Sequence, residues 1–260
     1  MGFPCITSRL WRGGSFAAAP AAPSTAEVKV TRQDNLIGWW KFDETSGSTA
    51  ADSSDTGNDA TLTQSGSSDA GFDSSGKNGY CVILDGTDDE VTIPAESAYG
   101  VAPFSITAWI EANSHVLHAS IIQADLYTAA GTINVSFRSS TTVDVVKFKQ
   151  TSSYTIDTHT IGDYTGAWHH FAMTVAAVGD GTYATKVYWD ADQKSATRST
   201  GGGSAGIWSD AMDTNVAWQV GRDRTYYDLN GRIDDLRIYD VALTAGNVED
   251  IYNSGDGDWP

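Results

Sequence analysis

The chain has little cysteine and little glutamate: of 260 residues only two are cysteine, Cys5 and Cys81, and only six are glutamate. Each shortage excludes something. Two cysteines in different regions, without metal-like spacing, provide neither a disulfide framework nor a thiolate metal site, and no disulfide is expected. Aspartate supplies the other 27 of the 33 acidic residues; short carboxylates build turns and bind hard cations rather than form helices. Lysine and arginine number 16, for a formal net charge of −17, and they form no basic cluster. A phosphate-rich partner, nucleic acid or an anionic membrane, demands such a cluster, so neither is expected. No apolar run approaches the roughly 20 residues that span a bilayer, so membrane insertion is not expected. A signal peptide is also not expected, because Arg9, Arg12, Gly13 and Gly14 interrupt the apolar segment it needs, although Ala17-Ala18-Ala19-Pro20-Ala21-Ala22 resembles a cleavage region.

What is present is a β pattern. From Leu36 onward, short alternating apolar runs are separated by Gly, Asp, Ser and Asn clusters, the cadence of a sandwich. Phe104, Ile106, Ala108 and Ile110 share one strand face. Ile133, Val135 and Phe137 share another, with Asn134, Ser136 and Arg138 on its reverse, which is expected to be wet. Thr45 to Ser75 reads as one long acidic loop, and Ser195 to Asp213 as a second. Thr244 is placed to cap a short helix burying Val248 and Ile251. Residues 1–33 differ in kind: Phe3, Leu10, Trp11 and Phe16 stand in a Gly/Ala/Pro background too poor in apolar residues for a core. They are expected to anchor the domain formed by residues 34–260 to a partner.

The stretch Leu229-Asn230-Gly231-Arg232-Ile233-Asp234-Asp235-Leu236-Arg237-Ile238-Tyr239 reads as a turn at Asn-Gly feeding a strand. Residues two apart share a strand face, which puts Asp234 in phase with Leu236 and Ile238. A carboxylate facing a core needs a cation, or a bulge that rotates it outward. Asp235 and Arg237 fall on the other face and can pair there.

This stretch, with Val241-Ala242-Leu243-Thr244 after it, resembles the closing strand of laminin G-like domains of the concanavalin A-like superfamily. Gly38-Trp39-Trp40-Lys41-Phe42-Asp43-Glu44 resembles their opening strand, and Val82-Ile83-Leu84-Asp85-Gly86-Thr87-Asp88-Asp89 and Phe104 to Ile110 their next signatures. Trp168-His169-His170-Phe171-Ala172 with Val187-Tyr188-Trp189-Asp190 resembles the central hairpin, although Ala191 stands where the family usually has glycine. The resemblance covers roughly residues 34 to 253. It implies an all-β, two-sheet antiparallel jelly-roll sandwich, preceded here by the N-terminal arm, often holding one calcium and often binding glycans or proteins. It carries calcium ligands most directly onto Asp43, Asn58 and Asp234. The loop Asp52 to Asp59 supplies further oxygens at close spacing, and Asp52 completes the expected set.

A sugar site needs aromatic faces beside planar polar groups, a mixture offered by Trp208, Arg222, Arg224, Tyr226, Tyr227 and Asp228. No catalytic residue is assigned. Retaining concanavalin A-like glucanases carry Glu-x-Asp-x-Glu on one strand, and this chain lacks it; Asp88 with Glu90 is the nearest substitute. His169 and His170 are expected to be packed or hydrogen-bonded rather than general bases, one facing each way. The expectation is a non-enzymatic, lectin-like surface module. It would be tethered by its arm to a larger assembly such as a phage capsid, extracellular or on a virion surface, with glycans as partners. The alternatives are a secreted adhesion protein and a glycoside hydrolase.

Overall fold

A computed structural model describes residues 35–64, 71–124, 132–150, 153–179, 182–201, 216–222 and 228–254. Phe3, Leu10, Trp11 and Phe16 of the arm lie outside them, as do Trp208, Arg224, Tyr226 and Tyr227. The described chain folds as two antiparallel sheets and one helix. One sheet contains β1 (Leu36–Trp40), β4 (Gly71–Asp73), β5 (Cys81–Asp85), β7 (Phe104–Ala112), β12 (His169–Gly179), β13 (Thr182–Trp189), β14 (Asp192–Lys194) and β17 (Asn230–Tyr239). The other contains β2 (Thr49–Ala50), β3 (Ala60–Thr63), β6 (Glu90–Ile93), β8 (Ser120–Ala124), β9 (Thr132–Ser139), β10 (Thr142–Gln150), β11 (Ser153–Thr160), β15 (Ala196–Gly201) and β16 (Trp218–Val220). The first runs β14-β13-β12-β7-β17-β5-β4 with β1 also on β17, and the second β15-β11-β10-β9-β8-β16-β6-β3-β2.

The core lies between them. Phe104, Ile106, Ala108 and Ile110 of β7 meet Ile133, Val135 and Phe137 of β9 in one buried cluster, as the alternation predicts. Trp40, Tyr99 and Trp218 fill one region of that cluster, with successive rings edge to face at 6.2 and 6.1 Å. A second cluster covers the reverse of the first sheet. Helix α1 (Ala245–Ser254) lays Val248 and Ile251 beside Tyr188, Tyr239 and Leu243. Thr244 Oγ1 accepts the Asn247 N–H at 3.1 Å, the expected N-cap.

Several expectations change. The stretch from Thr45 to Ser75 is not one loop, since β2, β3 and β4 lie within it. Asn230-Gly231 is not a turn but opens β17. A Cβ at Gly231 would sit 2.3 Å from the Glu111 carbonyl oxygen on β7, so glycine is required there by the closeness of the neighbouring strand. In the turn from β13 to β14, Asp190 and Ala191 both take left-handed backbone angles, φ 52° and 65°. That conformation suits the glycine the family usually has at the second position. Cys81 is buried and free, and burial pushes its thiol up to about 12.

Candidate functional site

β17 changes neighbours half-way along. Arg232 and Ile233 pair with Ile83 and Val82 of β5, whereas Leu236 and Arg237 pair with Trp40 and Trp39 of β1. At the changeover the register on β7 slips between Asp234, opposite Trp109, and Arg237, opposite Thr107. Asp235 occupies the slip with φ 52°, a β-bulge that inserts one residue and restarts the alternation. Ile233, Leu236 and Ile238 all reach the core, so Asp234 is not in phase with Leu236. It faces the helix-covered side, as does Trp109.

Rotation outward does not bring Asp234 to water, because its relative exposure is 0%. The ends of β1 and β5 leave a gap beside it, filled by residues 76–80 and by Asp43. Asp234 Oδ2 accepts the Asn78 N–H at 2.8 Å, and Asp43 Oδ1 accepts the Tyr80 N–H at 3.0 Å. Phe42, fully buried with φ 58°, turns the chain so that Asp43 meets this loop. A Cβ on Gly79 would lie 2.5 Å from Asp43 Oδ1, so the carboxylate and the loop fit only with glycine there. Asp234 Oδ1 and Asn78 Nδ2 are buried without a partner. Burial pushes the Asp234 carboxyl up to about 8; the charges of Asp235 and Asp43 act in the same direction, against the Asn78 hydrogen bond. Two carboxylates, one of them with an unpartnered buried oxygen, and the side-chain amide of Asn78 are oxygen donors of the kind a hard cation takes. The residues present therefore fit calcium.

Asp52 and Asn58 serve another loop. Asp52 Oδ1 accepts the Trp39 and Ser54 N–H groups and Oδ2 the Ser54 hydroxyl and the Asn58 N–H, each at 2.9 Å, with Thr56 Oγ1 2.7 Å from Oδ2. Burial raises the Asp52 pKa, but hydrogen bonds from Thr56, Ser54, Trp39 and Asn58 outweigh it and hold the carboxyl below its ordinary range. The Asn58 amide donates to the Pro94 carbonyl at 3.0 Å and the Tyr99 hydroxyl at 3.3 Å. Of the expected four residues, Asp43 and Asp234 both meet residues 76–80, whereas Asp52 binds the 52–58 turn and the Asn58 amide reaches Pro94 and Tyr99. Asn78 was missed because its backbone N–H meets Asp234 from 156 positions away.

Of the proposed sugar contacts, Arg222 and Asp228 are described. Arg222 Nη1 donates to the Asp88 carbonyl at 2.8 Å, and its Nε lies 3.7 Å from Oδ1 of Asp228, which is 2% exposed. Both are engaged within the fold. Carboxylate oxygens of Asp85, Asp88 and Asp89 lie within 4.8 Å of one another, but Asp89 Oδ2 accepts the Asp85 N–H and Asp85 Oδ1 the Thr87 N–H, bonds that build the turn before β6.

The two histidines do face opposite ways. His169 Nδ1 lies 2.7 Å from Asp190 Oδ2. His170, 1% exposed, packs against Trp109 and Tyr252 on the helix side, with neither ring nitrogen hydrogen-bonded. Burial, helped by the Arg237 charge and opposed by Asp190, lowers its pKa from 6.5 to about 3. The unfolded chain therefore binds a proton below pH 6.5 that the fold refuses, and this contribution to stability, complete above 6.5, is lost as pH falls toward 3. Between pH 7 and 4.5 urea melts are expected to lose on the order of 2–3 kcal/mol through this group. His170→Phe should flatten that slope, and an unchanged slope would refute the assignment.

The family model Laminin_G_3, described as the concanavalin A-like lectin/glucanases superfamily, matches residues 85–249. The chain belongs to that family. Among solved structures, domain 4 of AbnA, a GH43 extracellular arabinanase from Geobacillus stearothermophilus solved in complex with arabinotriose, has the same fold. It aligns at TM-score 0.61 and 19% identity, over 84% of this chain and 98% of that one. The binding domain of botulinum neurotoxin serotype D aligns at TM-score 0.61 and 13% identity, over 86% of this chain and 53% of the toxin domain. A structure of botulinum neurotoxin type C, whose cell entry depends on interaction with two ganglioside molecules, aligns at 0.62 and 15%, over 87% and 52%. This laminin G-like chain thus spans about half the length of the toxin chains it matches. No curated protein sequence matches it. No described helix is long and apolar enough to cross a membrane.

Proposed function

We propose that this laminin G-like domain is a non-catalytic, lectin-like module that binds glycans and carries one structural calcium held by Asp43, Asp234 and the 76–80 loop. The observation that carries the binding reading is the match over 98% of a domain solved with arabinotriose, joined by toxin chains of the same fold, one of them ganglioside-dependent. The sequence supports the absence of catalysis, since Glu-x-Asp-x-Glu is missing and Asp88 with Glu90 is only its nearest substitute. Residues 1–33 act as the tether to a larger assembly, such as a capsid or another surface array on which many copies would turn weak sugar contacts into avidity. Their apolar residues in a Gly/Ala/Pro background support this part.

The test is a panel of soluble saccharides: arabinotriose, cellotriose, maltotriose, mannotriose and a ganglioside oligosaccharide. Calorimetric binding of at least one, with no reducing ends released from the parent polysaccharides, is the expected result. Release of reducing ends that disappears in Glu90→Gln would replace this reading with a hydrolase.

A further inference from the structure

Asn-Gly occurs twice in the sequence, at Asn78-Gly79 and Asn230-Gly231, and the fold holds the two pairs differently. Asn230 opens β17 with both ends of its amide engaged: Nδ2 donates to the Asp85 carbonyl at 2.9 Å, and Oδ1 accepts from the Asn113 amide at 2.8 Å. Gly231 pairs with Leu84 on one side and Ala112 on the other. Asn78 and Gly79 lie instead in the loop between β4 and β5, which is pinned around them. The Asn78 and Tyr80 N–H groups donate to Asp234 and Asp43. Lys77 Nζ lies 4.3 Å from the centre of the Trp109 ring, and the Gly76 N–H donates to the Gly79 carbonyl at 3.1 Å. Two groups in the middle are left unheld. The side-chain Nδ2 of Asn78 is buried without a partner, and the Gly79 N–H makes no hydrogen bond among the described residues. Gly79 is exposed, with φ 86° and no side chain to shield its nitrogen.

We propose that Asn78 is a self-modification site, deamidated by the Gly79 nitrogen to aspartate and isoaspartate, and that the change resets the carboxylate pair Asp43 and Asp234. The Gly79 nitrogen loses its proton to water and attacks Cγ of Asn78, closing a succinimide ring. The bond from Cγ to Nδ2 breaks, and the leaving nitrogen takes a proton and departs as ammonia. Water then opens the ring, at Cγ to give aspartate or at the main-chain carbonyl to give isoaspartate. One water is consumed and one ammonia released, with no change of oxidation state. Displacing Nδ2 from Asn78 breaks no hydrogen bond in the fold. At Asn230 the same movement breaks two hydrogen bonds and disturbs pairing on both sides of β17, so it requires local opening of the sheet.

The two products act on the carboxylate pair in opposite directions, a part of the inference that rests on the calcium reading above. Aspartate replaces the amide with a third carboxylate, which favours a cation. Isoaspartate runs the chain through the side chain and inserts an extra backbone atom into a loop without slack. A Cβ on Gly76 would already lie 2.3 Å from the Tyr80 carbonyl oxygen, and one on Gly79 2.5 Å from Asp43 Oδ1. The longer backbone therefore draws the residue 78 N–H away from Asp234 and loosens the loop that brings the two carboxylates together.

Peptide mapping by mass spectrometry of the folded full chain, aged in warm, mildly alkaline buffer, tests the modification. The peptide holding Asn78 should gain about 1 Da and become a substrate for an isoaspartyl methyltransferase. It should do so about tenfold or more faster than the peptide holding Asn230, which waits on local opening. In Asn78→Gln, where ring closure needs a larger ring, the same peptide should stay unchanged. Equal rates at the two asparagines, or no gain at Asn78, would overturn the site. Calorimetric titration with calcium tests the consequence. Asn78→Asp should bind about fivefold more tightly than fresh wild type, and aged wild type should lose binding in proportion to its isoaspartate content. If both bind calcium as fresh wild type does, the link to Asp43 and Asp234 is wrong while the calcium reading and the modification site stand. If fresh wild type binds no calcium, the link and the calcium reading fall together and the modification site stands alone.

Discussion

Asp235→Asn is expected to destabilise the fold by about 3–5 kcal/mol, although it changes one atom and leaves the candidate metal ligands in place. Arg237 Nε and Nη2 donate to Asp235 Oδ1 and Oδ2 at 2.9 and 2.7 Å, a bidentate pair formed two residues apart, with Asp235 in the bulge. Arg237 is 2% and Asp235 6% exposed. Trp39 reinforces them: its Nε1–H donates to Asp235 Oδ1 at 2.6 Å, and its ring lies 4.8 Å from the Arg237 guanidinium and 4.2 Å from Lys41 Nζ. Asparagine keeps an acceptor for Trp39 but leaves a guanidinium buried beside no anion. Urea melts of Asp235→Asn and of Asp235→Asn with Arg237→Met decide the matter. The double variant should recover much of the loss, since the penalty comes from the stranded charge. A single-variant loss below about 1 kcal/mol would show that Arg237 finds water or another anion.

The same bulge marks where sequence reading stops. Alternation along β7 and β9 placed their apolar faces correctly, and Thr244 with Val248 and Ile251 located the helix, because these signals lie within a few residues of what they determine. The pairing of Asp235 with Arg237 was legible for the same reason. The direction of Asp234 was not, because it depends on β17 exchanging β5 for β1, two strands far away in the chain. The sequence does not separate two roles for Asp52, because an Asp-Ser-Gly-Asn loop that folds on its own carboxylate has the composition of one that folds around an ion. The reverse of β9 was half legible. Asn134, Ser136 and Arg138 were correctly set opposite the core, but burial of the first two is a property of neighbouring strands that no alternation encodes.

Calcium added to metal-free protein should raise its melting temperature by roughly 5–10 °C at a hundred times its Kd. A ligand of the native state alone contributes about 2.7 kcal/mol at that concentration, and 1 kcal/mol moves a domain of 150–250 residues by about 2–4 °C. The shift should be lost in Asp234→Asn. That residue is fully buried, has one oxygen without a partner, and is held largely protonated by burial and by its acidic neighbours until a cation answers it. Asp43→Asn should also remove most of the shift, because Asp43 grips the same loop through Tyr80. Asp52→Asn is the discriminating control. It weakens a turn held by five polar contacts and should lower the melting temperature with and without calcium, leaving the difference between them intact. If Asp52→Asn abolishes the calcium shift while Asp234→Asn preserves it, the ion sits in the 52–59 loop and the assignment to Asp43 and Asp234 is wrong. Identical melting with calcium and with chelator, in protein shown to start metal-free, would remove calcium from this fold altogether and leave Asp234 as a buried acid kept neutral by its surroundings.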